Sequence, residues 1–294
     1  MSVPDDPTPR APLPATTLLC DALEGAASGE TVSLGPEEVA HARALRLAVG
    51  QPLLVTDGRG RRWEGELVAA GRRSMTCRLL RSSPAPAPRP LSLWAPVGHR
   101  DRALWLVEKA VELGVRRIAF AECARSRSVA DAGRSAGFME RARRRAIGAL
   151  TQSGGADLPA LVGPVALVAL LDAGLADPAG ETAARWLADP EGPPLLEAVR
   201  GAPGAAAIWL VGPEGGLTAD ERHAVDAAGF EPVSLGARTL RFETAAVAGL
   251  AILAAAHDAS APSDPRGRPG RGRGASESAP SARGGRSASW SGAT

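Results

Sequence analysis

Residues 205–256, AAAIWLVGPEGGLTADERHAVDAAGFEPVSLGARTLRFETAAVAGLAILAAA, restrict the fold more than any other stretch of the chain. An apolar run ending at Val211 reads as a buried strand, and it breaks into Gly212-Pro213-Glu214-Gly215-Gly216, whose glycines permit close backbone approach and positive φ. Thr218 and Glu221 stand at capping-box spacing, so a helix is expected to begin there and stop before Gly229. A second strand is expected over 232–235, then the loop GARTLRFET, then a nearly all-apolar helix over 245–256. Having no polar face, that helix is expected to be buried on most sides. Two loops thus leave the carboxyl ends of two strands, where open α/β sheets hold ligands. GPEGGLT has neither the lysine of a phosphate-cradling loop nor the GxGxxG spacing of a dinucleotide site. Its one charge, Glu214, would repel a phosphate and suits a cation or a sugar hydroxyl, although a tight turn with a solvated glutamate accounts for the same residues.

VGPEGGLTADE, followed after a short gap by SLGARTLRFETA, closely resembles the paired signatures of the 16S ribosomal RNA uridine-N3 methyltransferases of the SPOUT superfamily. The resemblance implies an α/β, trefoil-knotted SPOUT methyltransferase domain preceded by a small PUA-like β-barrel domain. It implies S-adenosyl-L-methionine held in a bent form, with contacts at Leu187, Val211, Gly212 and Gly216 on one side and Leu235, Gly236, Thr239 and Leu240 on the other. The implied substrate is 16S rRNA or the small ribosomal subunit, and the implied assembly is a homodimer. Uridine N3 carries a proton, so its reactive form is the deprotonated imide, which nearby cations or hydrogen-bond donors favour. Arg241 and Arg127 are the candidates for stabilising that anion; Glu214 and Glu243 are candidates for removing the proton or orienting an arginine or the cofactor. Two other readings stay open. One is a SPOUT enzyme acting on a ribose 2′-hydroxyl or a tRNA guanine; the other is a nonenzymatic RNA-binding or ribosome-assembly factor, which cofactor binding would exclude.

At 294 residues the chain exceeds one average domain. Aromatics make up 3% with no tyrosine, so burial has to rely on Ala, Val and Leu. A formal charge of +2 permits an RNA partner without requiring one. Cys20, Cys77 and Cys123 have neither metal nor disulfide spacing, which points to a reducing cytoplasm and no metal. No apolar run is expected to span a membrane, and the acidic, proline-rich start is unlike a secretory signal. The expected organisation is a disordered 1–14, a PUA-like β domain over 15–81, a proline-dense linker over 82–90, a SPOUT domain over 91–258 and a disordered basic tail over 259–294.

In the first part, a helix is expected over 37–49 and two strands around Asp57-Gly58, with another strand over 74–80. HARALRLAVGQPLLVTDGRG is similar to the amino-terminal pattern of the same family, with His41, Leu45, Arg46, Gly50, Asp57 and Gly58 at the matching positions. His41, Arg43 and Arg46 are candidate RNA contacts, and Arg59, Arg61, Arg62, Arg72 and Arg73 could extend a phosphate-facing surface or form an ordinary solvated one.

Beyond the linker, strands are expected over 91–97 and 117–121 around a helix over 102–113, a βαβ arrangement. Leu104, Val107 and Val111 share one face of that helix. On another, Lys109, the chain's only lysine, stands three residues before Glu112. LVEKAVELGVRRI resembles the family's site-adjacent segment, which makes Lys109 a candidate RNA contact, although an ordinary helix ion pair has the same spacing. A following helix carries Arg141, Arg143, Arg144 and Arg145; Arg141, Arg144 and Gln152 are further candidate RNA contacts. Thr151 and Gly155 depart from the family, which carries an acid and an arginine there. A helix and loop are expected over 164–180, and strands over 183–188 and 206–211.

Overall fold

In this computed structural model the described residues are 16–126, 132–173, 183–201 and 204–260. Arg127, the segment 1–14 and the tail from 261 onward lie outside them. The first sheet has the strand order β1-β3-β4-β5-β2, built from β1 (Thr17–Leu19), β2 (Thr31–Leu34), β3 (Pro52–Thr56), β4 (Arg62–Ala70) and β5 (Met75–Ser82). Strand β2 alternates exposed and buried residues, and Val32 and Leu34 join Leu18, Leu53, Val55, Leu67 and Leu79 in an aliphatic core. The helix α1 (Pro36–Ala44) is shorter than the expected 37–49. It ends where Arg46 takes a positive φ of 55°, uncommon for a residue other than glycine.

The turn between β3 and β4 is wider than a two-residue hairpin. Asp57 Oδ1 accepts from the Arg59 and Arg61 backbone N–H groups at 2.8 and 3.1 Å, an Asx-type closure that spans residues 57–61. This turn leans on the rest of the molecule: Gly60 N–H donates to Ala156 O at 2.8 Å and Leu158 N–H to Gly58 O at 2.9 Å. Gly58 has φ +68°, and a Cβ there would come within 2.8 Å of Leu158 Cδ1, so glycine meets both a conformational and a spatial demand. Arg62 corrects an expectation. It is buried, not part of an RNA-facing surface, and its guanidinium donates to Gly154 O at 2.5 Å and to Pro84 O. Burial lowers the pKa of that guanidinium.

The second sheet is wholly parallel, in the order β11-β9-β10-β6-β7-β8. Its strands are β6 (Arg89–Pro96), β7 (Val115–Glu122), β8 (Ala160–Ala166), β9 (Ala184–Ala188), β10 (Ala207–Leu210) and β11 (Glu231–Val233). Strand β6 begins inside the expected linker, leaving 83–88 as its irregular part. Strand β8, which was not expected, runs three residues into the 164–180 stretch, whose expected helix is α4 over Leu167–Ala173; Pro164 is tolerated because β8 is an edge strand. Helices α2 (Arg100–Glu112), α3 (Ala132–Ser153), α5 (Leu195–Gly201) and α7 (Phe242–Ser260) share one core with Leu91, Leu93 and Ala95 of β6. Helices α4 (Leu167–Ala173) and α6 (Ala219–Ala227) share the other with Trp94, Ile208 and Leu210. The expected Leu104, Val107 and Val111 are buried on α2.

Helix α7 departs from expectation twice. It starts three residues early, at Phe242, and it buries one face only: Ala245, Ala246, Gly249, Leu250, Leu253 and Ala254 pack inward, whereas Ala251 and Ala255 are exposed. Alanine keeps the outer face apolar without making it buried. At 19 residues the helix is long and apolar enough to cross a membrane, contrary to the expected absence of such a run. Its inward face is instead bound into the core, where Gly249 lies so close to the Trp209 indole that a Cβ would stand 2.3 Å from Cε2.

Candidate functional site

The carboxyl ends of β9, β10 and β11 lie side by side, and the segments leaving them enclose a cavity of about 370 Å³. All eight residues expected to contact a cofactor line it: Leu187, Val211, Gly212, Gly216, Leu235, Gly236, Thr239 and Leu240. Sequence reasoning did not include Asp189, Arg222, Val233, Arg238, Phe242 and Ala245, which also line it. The lining is mostly aliphatic and glycine, suited to a flat apolar group with few polar handles. At Gly236, φ is +118° and a Cβ would meet nothing within 4 Å. Among the described residues, the backbone from Leu235 to Leu240 makes no hydrogen bond to another backbone segment, which leaves its N–H and C=O groups free for a ligand.

The first loop is held from several directions. Gly216 N–H donates to Pro213 O at 2.8 Å with φ +70°, closing the turn. The expected capping box is present: Glu221 N–H donates to Thr218 Oγ1 at 3.2 Å, and Thr218 N–H to Glu221 Oε2 at 2.8 Å. The other oxygen, Glu221 Oε1, accepts from Ala124 N–H at 2.6 Å, tying the helix start to the end of β7. Arg125 Nη1 donates to Gly215 O and Leu217 O at 3.1 and 3.3 Å. A Cβ on Gly215 would stand 3.1 Å from Arg125 Cβ, so the loop lies directly against that arginine.

The four catalytic candidates separate. Glu214, with 66% of its side chain exposed, and Glu243, with 13%, converge on Arg102 Nη1 at 3.1 and 3.3 Å. Glu243 Oε2 is buried and has no partner among the described residues. Arg241 is exposed beside these groups in sequence but does not line the cavity, and Arg127 falls outside the described residues. Arg102 and Arg125 were missed as site residues. Both, with His99, Ser126, Pro213, Glu214 and Phe242, line a second cavity of about 370 Å³ that shares Pro213, Glu214 and Phe242 with the first. Cys123, just past the end of β7, is buried, and burial pushes its thiol up to about 12, away from the thiolate form.

The RNA candidates form two groups. His41, near Glu38 at 3.7 Å, the exposed Arg43 and Arg46 belong to the α1 region. Lys109, Arg144 and Gln152 line a groove between α2 and α3, with Arg141 half-buried on α3. Acids temper this second group: Lys109 pairs with Glu112 at 2.7 Å and Glu108 at 3.0 Å, Arg145 with Glu108 at 3.5 Å, and Arg144 with Glu140 at 3.4 Å. Gly155 replaces the family's arginine where a Cβ would stand 2.7 Å from Leu150 Cδ1. Among the described residues there is no cluster able to hold a metal.

A helix-flanked parallel sheet with a glycine-walled cavity at its carboxyl edge, in a chain that also carries a small β sheet, defines an α/β ligand-binding protein. Residues 85–254 match the RNA methyltransferase domain family and residues 34–80 the RNA methyltransferase PUA domain. The chain belongs to the RNA methyltransferase domain family. It is 28% identical over 239 residues to ribosomal RNA small subunit methyltransferase E of Mycobacterium bovis, covering 80% of this chain and 91% of that one. Ribosomal RNA small subunit methyltransferase E from Neisseria gonorrhoeae, solved with S-adenosyl methionine, superposes with a TM-score of 0.71 at 26% identity, covering 80% of this chain and 95% of that one. A Legionella pneumophila protein solved with the cofactor SAM gives 0.73 at 25% identity, covering 83% and 98%.

Proposed function

We propose that this chain methylates N3 of a uridine in 16S rRNA of the small ribosomal subunit, using S-adenosyl-L-methionine. The observation that carries this reading is the single cavity shared by both signature loops in a member of an RNA methyltransferase family. Its relatives are named for small-subunit rRNA methylation, and two solved ones hold the same cofactor.

Bound there, the cofactor would supply an electrophilic methyl group carried on a sulfonium. Leu187, Val211, Leu235 and Leu240 would cover an apolar ring. Gly212, Gly216 and Gly236 leave it room, and the free backbone groups of 235–240 hydrogen-bond its edge. Glu214 favours the positive charge. At the reacting base, Arg241 and Arg127 stabilise the imide anion; Glu214, on the wall of both cavities, is the acceptor for its proton, and the buried Glu243 orients Arg102. His41, Arg43 and Arg46 of the α1 region, with Lys109, Arg141, Arg144 and Gln152 of α2 and α3, contact the RNA backbone. We assign 16–82 to the PUA-like domain, 83–88 to the linker and 89–258 to the knotted catalytic domain. The insertion of β10 between β6 and β9 is consistent with a trefoil crossing. The exposed alanines of α7 and the half-exposed Trp105 on the adjoining α2 offer a surface for a homodimer, and three free buried thiols fit a reducing cytoplasm.

Mass mapping of 16S rRNA from cells lacking this protein tests the reading. N3-methyluridine should be absent, return with the wild-type chain and stay absent with Gly216→Arg; its persistence without the protein would overturn the assignment.

A further inference from the structure

The two signature loops are joined by a residue that belongs to neither. Arg102 stands on the first turn of α2, backed by the buried Ala103, Leu104 and Leu106. Its Nη1 reaches Glu214 Oε1 of the first loop at 3.1 Å and Glu243 Oε1, on the first turn of the helix after the second loop, at 3.3 Å. The platform beneath it is close-fitting: a Cβ on Gly98, just before α2, would stand 3.3 Å from the Phe242 ring. Phe242, Pro213 and Glu214 form the wall between the two cavities, and Arg102 lines only the second. Without the guanidinium, two carboxylates would converge on one spot and repel.

We propose that Arg102 is a positioning residue: by tying Glu214 to Glu243 it sets the separation of the two loops and thereby the width of the cofactor cavity. This rests on the methyltransferase reading. Because Arg102 does not line the cofactor cavity, its effect on the cofactor passes through Glu214, Glu243 and Phe242. An arginine suits the task because its Nη1 carries two N–H bonds, one for each carboxylate, and its charge is permanent.

The test uses the full chain with Arg102→Met, Arg102→Lys, Glu243→Gln and the Arg102→Met/Glu243→Gln pair. S-adenosylmethionine affinity is measured by calorimetry, methyl transfer to 16S rRNA by kcat and KM, and melting without cofactor. Arg102→Met should weaken the cofactor about tenfold and lower kcat while leaving the KM for RNA within about twofold, as expected for coupled residues. Lysine should restore affinity to within about threefold of wild type, since the charge is kept. The double variant should bind S-adenosylmethionine no more weakly than Arg102→Met, because removing the Glu243 charge relieves the repulsion. Affinity of Arg102→Met within about twofold of wild type, or losses that multiply in the double variant, would overturn the proposal. A wild-type chain that binds no S-adenosylmethionine would defeat the methyltransferase reading instead. The tie between the loops is then read from melting: non-additive shifts in the same cycle support it and additive shifts overturn it.

Discussion

The two loops that close the cavity are equally distinctive in sequence and differ in how the fold holds them. Residues 212–217 are fixed by a backbone turn, a capping box, the Arg125 guanidinium on two carbonyls and the Arg102–Glu214 pair. Among the described residues, the backbone of 235–240 is tied only at its flanks, by Ser234 N–H to Pro193 O at 2.8 Å, Leu195 N–H to Ser234 O at 2.9 Å and Ala245 N–H to Arg241 O at 2.9 Å. A segment rich in internal bonds opens at high free-energy cost, and one without them opens readily. The first loop is therefore expected to behave as a preformed wall and the second as the flap that orders on the ligand, with part of the binding energy spent on that ordering.

The largest expected effect separates a filled wall from a filled flap. Gly216→Arg adds a long side chain at a φ of +70° in the held loop and should reduce S-adenosylmethionine affinity by at least ~100-fold in a calorimetric titration. Gly236→Ala strains a φ of +118° but meets no atom within 4 Å, and the loose loop can shift, so the loss should be about tenfold. Equal losses would mean that the loops are equally rigid. Next in size is Glu221→Ala, which strips the capping box and the acceptor for Ala124 N–H. A stability loss of roughly 2 kcal/mol is expected, seen as a fall of several degrees in melting temperature.

A direct reading of the contrast comes from amide hydrogen exchange. Without cofactor, amides over 235–240 should exchange quickly and those bonded within 212–221 slowly. Saturating S-adenosylmethionine should slow the first set by about tenfold or more and leave the second nearly unchanged. Protection of 235–240 before cofactor is added would remove the flap.

What the sequence made legible follows the range of the interaction. The Thr218–Glu221 box and the strand ends are signals carried within a few residues and were readable locally, whereas the place of Gly212, Gly216 and Gly236 at a cofactor cavity came from the family resemblance. Arg102 meets its partner 112 positions along the chain, Arg125 meets carbonyls 90 and 92 positions away, and Arg62 meets one 92 away. No spacing rule announces such pairs, so one of these arginines was read as part of a solvated surface and the other two were not singled out. Strand β8 was hidden by its Gly163-Pro164, which resembles a break until the strand is known to lie at a sheet edge. Helix α7 was assigned too much burial because alanine counts as apolar in a pattern and is still small enough to face solvent.

The smallest expected effect concerns the held side of the cavity, where Asp189 after β9 meets Arg222 of α6 at 2.5 Å. Burial alone would raise the Asp189 pKa. The Glu191 backbone N–H at 2.9 Å and the Arg222 guanidinium outweigh it and hold the carboxyl below its ordinary 3.8. Because the folded value lies below the unfolded one, the pair's contribution to stability is present above the unfolded pKa and is lost as pH falls through the folded pKa. Wild type should therefore melt above Asp189→Asn by a constant margin from about pH 8 to about pH 5, and the margin should shrink below about pH 4. Such a margin assigns the pair to the preformed wall. A margin that appears only with S-adenosylmethionine present would move Asp189 and Arg222 to the side of the cavity that the ligand itself assembles.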